Sequence, residues 1–162
     1  MPDDRKTDLA TRLQAACLAH GMRLATVESC TGGLVSAAIT AIPGSSGYYL
    51  GGLITYSDAV KRDLAGVPQA LLDAHGAVSA QVAVALADGA RVRLGADIAV
   101  SVTGVAGPDG GSEAKPVGLT YIGVADARGA DARRYLWTGD RAANQHDSAV
   151  AALELVLERV GQ

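Results

Sequence analysis

Phenylalanine is absent from this chain, tryptophan occurs once, and aromatic residues make up only 4% of it. A core without large rings must be filled by Ala, Val, Leu and Ile, whose small side chains suit close packing of helices on a sheet. Cysteine is also scarce. Cys17 and Cys30 do not make the disulfide framework of a secreted domain, and a reducing, cytoplasmic setting is the simpler expectation. No apolar run approaches membrane-spanning length, and the polar stretch from Met1 to Asp8 leads into no signal-like apolar segment. Positive charge is lacking as well: 14 Lys and Arg against 17 Asp and Glu give a formal net charge of −3. That balance removes any bulk attraction to nucleic acid or to an anionic membrane, so neither is an expected partner. An anionic ligand would have to be held by a local site.

What is present is a chain of 162 residues with a hydrophobic fraction of 49%, enough for the core of one ordinary domain. No linker, repeat or low-complexity tract divides it, so a single domain is expected over residues 1–162, with 1–6 as a flexible lead-in. Helical and extended patterns alternate. Leu9, Leu13, Ala16 and Cys17 recur at helical spacing, which predicts a helix from about Asp8 to His20, capped by Thr7 or Asp8 and ended by Gly21. Leu24 to Glu28 reads as a strand, Gly32 to Thr40 as a small-residue helix, and Tyr48 to Tyr56 as a second strand. Ser57 or Asp58 caps a short helix that Gly66 closes, Pro68 starts another, and Ser79 caps a longer one closed by Gly95. Ile98 to Thr103 is a third strand. Val117 to Ala125 and Ala132 to Thr138 form a late hairpin, and Asp140 caps a long final helix. Helices interleaved with strands predict a three-layer α/β/α sandwich around a mixed, mostly parallel sheet of about five strands.

Open sheets of this kind bind ligands beyond the carboxyl ends of their strands. Four features fall at such ends: Ser29, Tyr56 with Lys61, Thr103 with Gly104, and Asp140 with Arg141. Their meeting in space is the central structural expectation. Ser29 lies at a strand-to-helix turn, Glu28-Ser29-Cys30-Thr31-Gly32-Gly33, where a hydroxyl faces solvent and following N–H groups can face what it attacks. Ser29 and Cys30 are neighbours, and either can be the nucleophile of such a turn; Ser29 can equally be a simple helix cap. His20, His75 and His146 all sit at helix ends or inside a helix and serve badly as the base. Lys61 is better placed, although a lysine base must be brought from about 10.4 to about 7 to 8 by burial or nearby positive charge. Arg62 is a local source of such charge, and Tyr56 can order the pair. A solvated helix charge for Lys61 and ordinary strand packing for Tyr56 are the plainer alternatives.

The loop Gly104 to Pro116, with Gly107, Gly110 and Gly111, can offer backbone N–H groups to an anion, or it can be a surface turn. It is neither a P-loop nor a dinucleotide fingerprint. Arg141, opening a helix, can clamp a phosphate or pair with Asp140.

Taken as literal strings, Glu28-Ser29-Cys30-Thr31-Gly32-Gly33, Thr55-Tyr56-Ser57 with Lys61, Ser101 through Gly111 to Gly118, and Gly139-Asp140-Arg141 closely resemble the CinA C-terminal domain family, in the same order from about Thr7 to the end. That family includes stand-alone nicotinamide-nucleotide amidohydrolases. Fused members carry a larger N-terminal domain, and a chain of this length is expected to hold none. The resemblance implies hydrolysis of the carboxamide of nicotinamide mononucleotide to nicotinate mononucleotide and ammonia, with no metal and no cofactor. It maps a serine and lysine pair onto Ser29 and Lys61, supported by Tyr56. It places Thr103 and Arg141 at the active site. Cys30, Thr31, Gly32, Gly33, Gly104 and Gly107 are the further expected substrate contacts, with N–H groups of Thr31 to Gly33 holding an oxyanion. The expected partner is thus a small-molecule substrate, together with a second copy of the chain in a homodimer. A nucleotide-binding or protein-interaction module without catalysis, or another amidase using the same pair, are the alternatives.

Overall fold

The structure is a computed structural model that describes residues 3–162. Five strands form one sheet in the order β2-β1-β3-β4-β5, with β1 Leu24–Glu28, β2 Tyr49–Ile54, β3 Ile98–Gly104, β4 Leu119–Asp126 and β5 Gly129–Leu136. β2, β1 and β3 are parallel, β4 is antiparallel to β3, and β5 is antiparallel to β4. Four of the five strands therefore run the same way and deliver their following loops to one end of the sheet.

Strand alternation sorts the core into two layers. Leu24 of β1 with Ile98, Val100 and Val102 of β3 face α1 (Asp4–His20), α2 (Leu34–Thr40) and α6 (Arg141–Val160). Ala25, Val27 and Ala99 face the other way, toward α3 (Asp58–Ala65), α4 (Gln69–His75) and α5 (Ala80–Leu94). The sandwich expected from the sequence is the one observed. Its helices stop where the sequence says they should: Gly21, Gly66 and Gly95 each follow a helix in the left-handed conformation.

Some boundaries differ, each for a local reason. The first helix begins at Asp4, because the Asp3 carboxylate accepts from the Arg5 N–H and caps it. Residues 3–6 are thus cap and first turn rather than a loose lead-in, while Met1 and Pro2 lie outside the described residues. The second helix starts at Leu34 instead of Gly32, since Gly32 and Gly33 have φ of 59° and 115°, incompatible with a right-handed helix. The hairpin is tighter than expected, turning on Ala127 and Arg128 with the Asp126 carboxylate accepting from the Arg128 N–H. Among the described residues no helix is long and apolar enough to cross a membrane.

Where small residues face each other, two helices approach until backbone is the contact surface. A methyl group on Gly89 of α5 would lie 1.8 Å from the Ala65 carbonyl oxygen of α3. Alanine is the better helix former by about 1 kcal/mol. Gly89→Ala is nonetheless expected to destabilise the fold by about 1–3 kcal/mol, as overpacking does. Chemical denaturation checks the sign, and a stabilised variant would show that α3 can move away from α5 at no cost.

Candidate active site

The same alternation that builds the layers aims two adjacent side chains in opposite directions. Glu28, the last residue of β1, turns toward α2, where its buried carboxylate accepts from the Thr31 hydroxyl, the N–H groups of Gly33, Val35 and Ser36, and the Ser36 hydroxyl. These bonds satisfy the open N-terminus of α2 with the negative charge that a helix start favours. Ser29, held by its N–H on the Val102 carbonyl, turns toward α3. There Lys61 lies one turn into the helix, 1% exposed.

The Lys61 Nζ is 3.0 Å from the Ser29 Oγ, 2.7 Å from the Thr55 carbonyl oxygen and 3.1 Å from that of Tyr56. Three partners suit both protonation states. An ammonium donates to all three, whereas a neutral amine donates to the two carbonyls and keeps its lone pair for the serine proton. Burial holds the Lys61 pKa below the usual lysine range, with the negative charge of Asp58 acting the other way. The positive charge of Arg62 is not the cause: its guanidinium is bound to the Asp63 carboxylate and the Gln69 side chain. Cys30 also borders the site, but burial pushes its thiol up to about 11, which keeps it protonated near neutral pH.

Around this pair lies a cavity of about 280 Å³. Ser29, Cys30, Tyr56, Lys61, Thr103, Gly104, Gly107 and Arg141 all line it, so the four strand-end features do meet. None of the three histidines is among its lining residues. The Thr103 hydroxyl donates to the Ala77 carbonyl and so presents only lone pairs elsewhere. Arg141 is not paired with Asp140, which instead caps the Ala143 N–H; its guanidinium reaches the Gly107 carbonyl at 2.8 Å and the Tyr56 hydroxyl at 3.2 Å. The N–H groups of Gly107, Asp109 and Gly110 find no acceptor among the described residues, as expected of a loop that offers them to an anion.

Thr31, Gly32 and Gly33 are placed differently from their expectation. They do not line the cavity. The Thr31 hydroxyl and the Gly33 N–H are spent on Glu28, and the Gly32 N–H donates to the Ser29 carbonyl. The backbone N–H groups of Cys30 and Thr31 are the ones in this turn without an acceptor among the described residues. Tyr56 does bond to Lys61, but through its backbone. Its side chain is 63% exposed and lies past the end of β2; its carbonyl, not its hydroxyl, orders Lys61, while the hydroxyl is tied to Arg141.

Sequence reasoning passed over Glu28, Asn144 and Gln145. Asn144 donates to the Ala106 carbonyl and accepts from the Gly139 N–H, and Gln145 donates to the Cys30 carbonyl. Together with Arg141 they latch the first turns of α6 onto both the glycine loop and the nucleophile turn. Their spacing of three and four from Arg141 was the available signal, because those positions share one helix face. For Glu28 there was no such signal, because Ser29 stood as a cap candidate and only the structure shows that α2 starts from Gly33 with no side-chain cap of its own.

A mostly parallel α/β sandwich with a buried serine and lysine in contact at the carboxyl end of its strands defines an α/β domain carrying a preformed serine–lysine pair. Comparison with known proteins gives the family. The model of the CinA C-terminal domain matches residues 6–160, and this chain belongs to that family. It is 57% identical over 121 residues to a CinA-like protein of Geotalea uraniireducens, covering 75% of this chain and 29% of that one. A CinA-like protein of Geobacter sulfurreducens is 50% identical over 140 residues, covering 86% and 34%. The chain thus spans about a third of the length of these relatives. Among solved structures, the competence/damage inducible protein CihA from Agrobacterium tumefaciens superposes with a TM-score of 0.94 at 38% identity, over 98% of this chain and 96% of that one.

Proposed function

We propose that this domain hydrolyses the carboxamide of nicotinamide mononucleotide to nicotinate mononucleotide and ammonia through an acyl-serine intermediate. The observation that carries the reading is the contact of Lys61 Nζ with Ser29 Oγ, with the other two hydrogen-bonding directions of the amine already taken by the carbonyls of Thr55 and Tyr56. Those carbonyls fix the lone pair on the serine. The substrate is the one that resemblance to the family implies, and Arg141 with the open N–H groups of the glycine loop supports it as a counterpart of a phosphate.

In the forward step neutral Lys61 takes the hydroxyl proton as Ser29 Oγ bonds to the carboxamide carbon, and the carbonyl oxygen becomes an oxyanion. The N–H group of Cys30, which borders the cavity and has no acceptor among the described residues, is the donor this turn offers to it, in place of the Gly32 and Gly33 groups, which are occupied. The lysine ammonium then returns its proton to the amide nitrogen, the C–N bond breaks, and ammonia leaves. Water attacks the acyl-serine, Lys61 accepts its proton, and proton return to Ser29 releases the carboxylate.

The direct test is ammonia release from nicotinamide mononucleotide by the purified protein. Turnover with nicotinate mononucleotide formed in equal amount is expected; binding without turnover would leave a nucleotide-binding module. The pH profile checks the base. Because the amine must be unprotonated and burial favours that form, kcat/KM is expected to rise with pH and level off below the ordinary lysine value of about 10.4. Initial rates from about pH 6 to about pH 10 would show it, and a rate that falls across that range would exclude lysine as the base.

A further inference from the structure

Besides Lys61 the cavity wall carries three charged side chains, Asp58, Asp109 and Arg141. Among the described residues neither carboxylate has a hydrogen-bond or ion-pair partner, and Arg141 touches only neutral acceptors, the Gly107 carbonyl and the Tyr56 hydroxyl. A preformed pocket with unspent charges of both signs is complementary to a ligand that itself carries both. The anionic end belongs to Arg141 and the N–H groups of the glycine loop; Asp109 stands on that loop, so Asp58 is the carboxylate left to answer a cation. Asp58 lies at the reacting end, since it is the first residue of α3 and stands three residues before Lys61, on the same helix face.

Asp58 works against the base it adjoins. Its negative charge favours the protonated form of Lys61, and its carboxylate forms no bond with the Nζ that would help to place it. For proton transfer alone the site would be better without it, so its position in the cavity calls for a role in binding. From its place beside the dyad we infer that Asp58 is a specificity-determining residue, recognising positive charge on the ring whose carboxamide Ser29 attacks. The ligand class it selects is the N-alkylated, cationic pyridinium, against a neutral aromatic or dihydropyridine ring of the same size. A seated cation also offsets the pull of Asp58 on the Lys61 proton. The inference rests on the deamidase reading and adds to it the feature of the substrate that is recognised next to the scissile bond.

The test separates charge from shape. Binding is measured on Ser29→Ala, which cannot turn over, with two ligands: nicotinamide mononucleotide and its C-nucleoside counterpart, in which a neutral benzamide ring replaces the pyridinium and the phosphate is unchanged. The cationic ligand is expected to bind about tenfold tighter. Adding Asp58→Asn should remove about that factor for the cation while changing the neutral ligand less than about twofold, and Asp58→Glu should keep the preference. Equal losses for both ligands, as a purely structural first-turn aspartate would give, or no preference in the Ser29→Ala protein, overturn the inference and leave the deamidase reading standing. Absence of ammonia release by the wild-type protein, together with no binding of either nucleotide, overturns that reading instead.

Discussion

Ser29→Ala is expected to reduce ammonia release from nicotinamide mononucleotide by roughly 10⁴-fold or more, the scale at which removal of an attacking hydroxyl leaves only positioning and oxyanion stabilisation. The variant keeps the fold, because what anchors this residue is its backbone N–H on the Val102 carbonyl, and that bond survives loss of the side chain. Ser29 is 7% exposed, so the change removes one oxygen from a cramped site and introduces no bulk. Cys30 supplies the control. Its thiol is pushed up to about 11 by burial and makes no hydrogen bond to Lys61, so Cys30→Ala is expected to keep activity within roughly tenfold of wild type. Steady-state rates of both variants, with thermal melts as a check on folding, decide between the neighbours. Full activity in Ser29→Ala, or loss confined to Cys30→Ala, would move the chemistry to sulfur.

The fold was legible because its signals are local. Gly21, Gly66 and Gly95 each mark the end of a helix, and the helices differ from expectation mainly at two starts, where Asp3 caps α1 and the positive φ of Gly32 and Gly33 delays α2. The meeting of Ser29, Lys61, Thr103 and Arg141 was legible too, since a parallel sheet sends successive loops to one end whatever their sequences. What could not be read was the use of backbone. That the Thr55 and Tyr56 carbonyls hold Lys61, or that the Gly32 N–H is already bonded, follows from turn geometry, which side-chain patterns do not encode. The exchange of roles around Glu28 has the same origin. An acidic residue closing an apolar strand looks like its solvated end, and only the position of α2 turns it into a buried acceptor of five hydrogen bonds.

Lys61→Met is expected to abolish turnover to a similar degree, roughly 10⁴-fold, while leaving nucleotide affinity within a few fold, because the amine acts on the serine proton and not on the phosphate. Methionine nearly matches the volume of the lysine stem but has no lone pair basic enough to take that proton. A positively charged substitute fails as well: Lys61→Arg keeps donors for the Thr55 and Tyr56 carbonyls, yet a guanidinium stays protonated at every working pH. A thermodynamic readout then separates base from scaffold. In the wild type the folded state holds Lys61 below its ordinary pKa, so between the folded and unfolded values the unfolded chain binds the extra proton and stability rises with pH. Methionine cannot titrate, and the variant should lose that rise on the alkaline side. Against the gain from no longer burying an amine stand two carbonyls left without their donor, at about 1–3 kcal/mol each where no water reaches them. Denaturant melts of wild type and Lys61→Met across the alkaline range are the measurement. A slope unchanged in the variant would mean that folding leaves the Lys61 pKa at its ordinary value, so that near neutral pH the amine is charged and does not take the Ser29 proton.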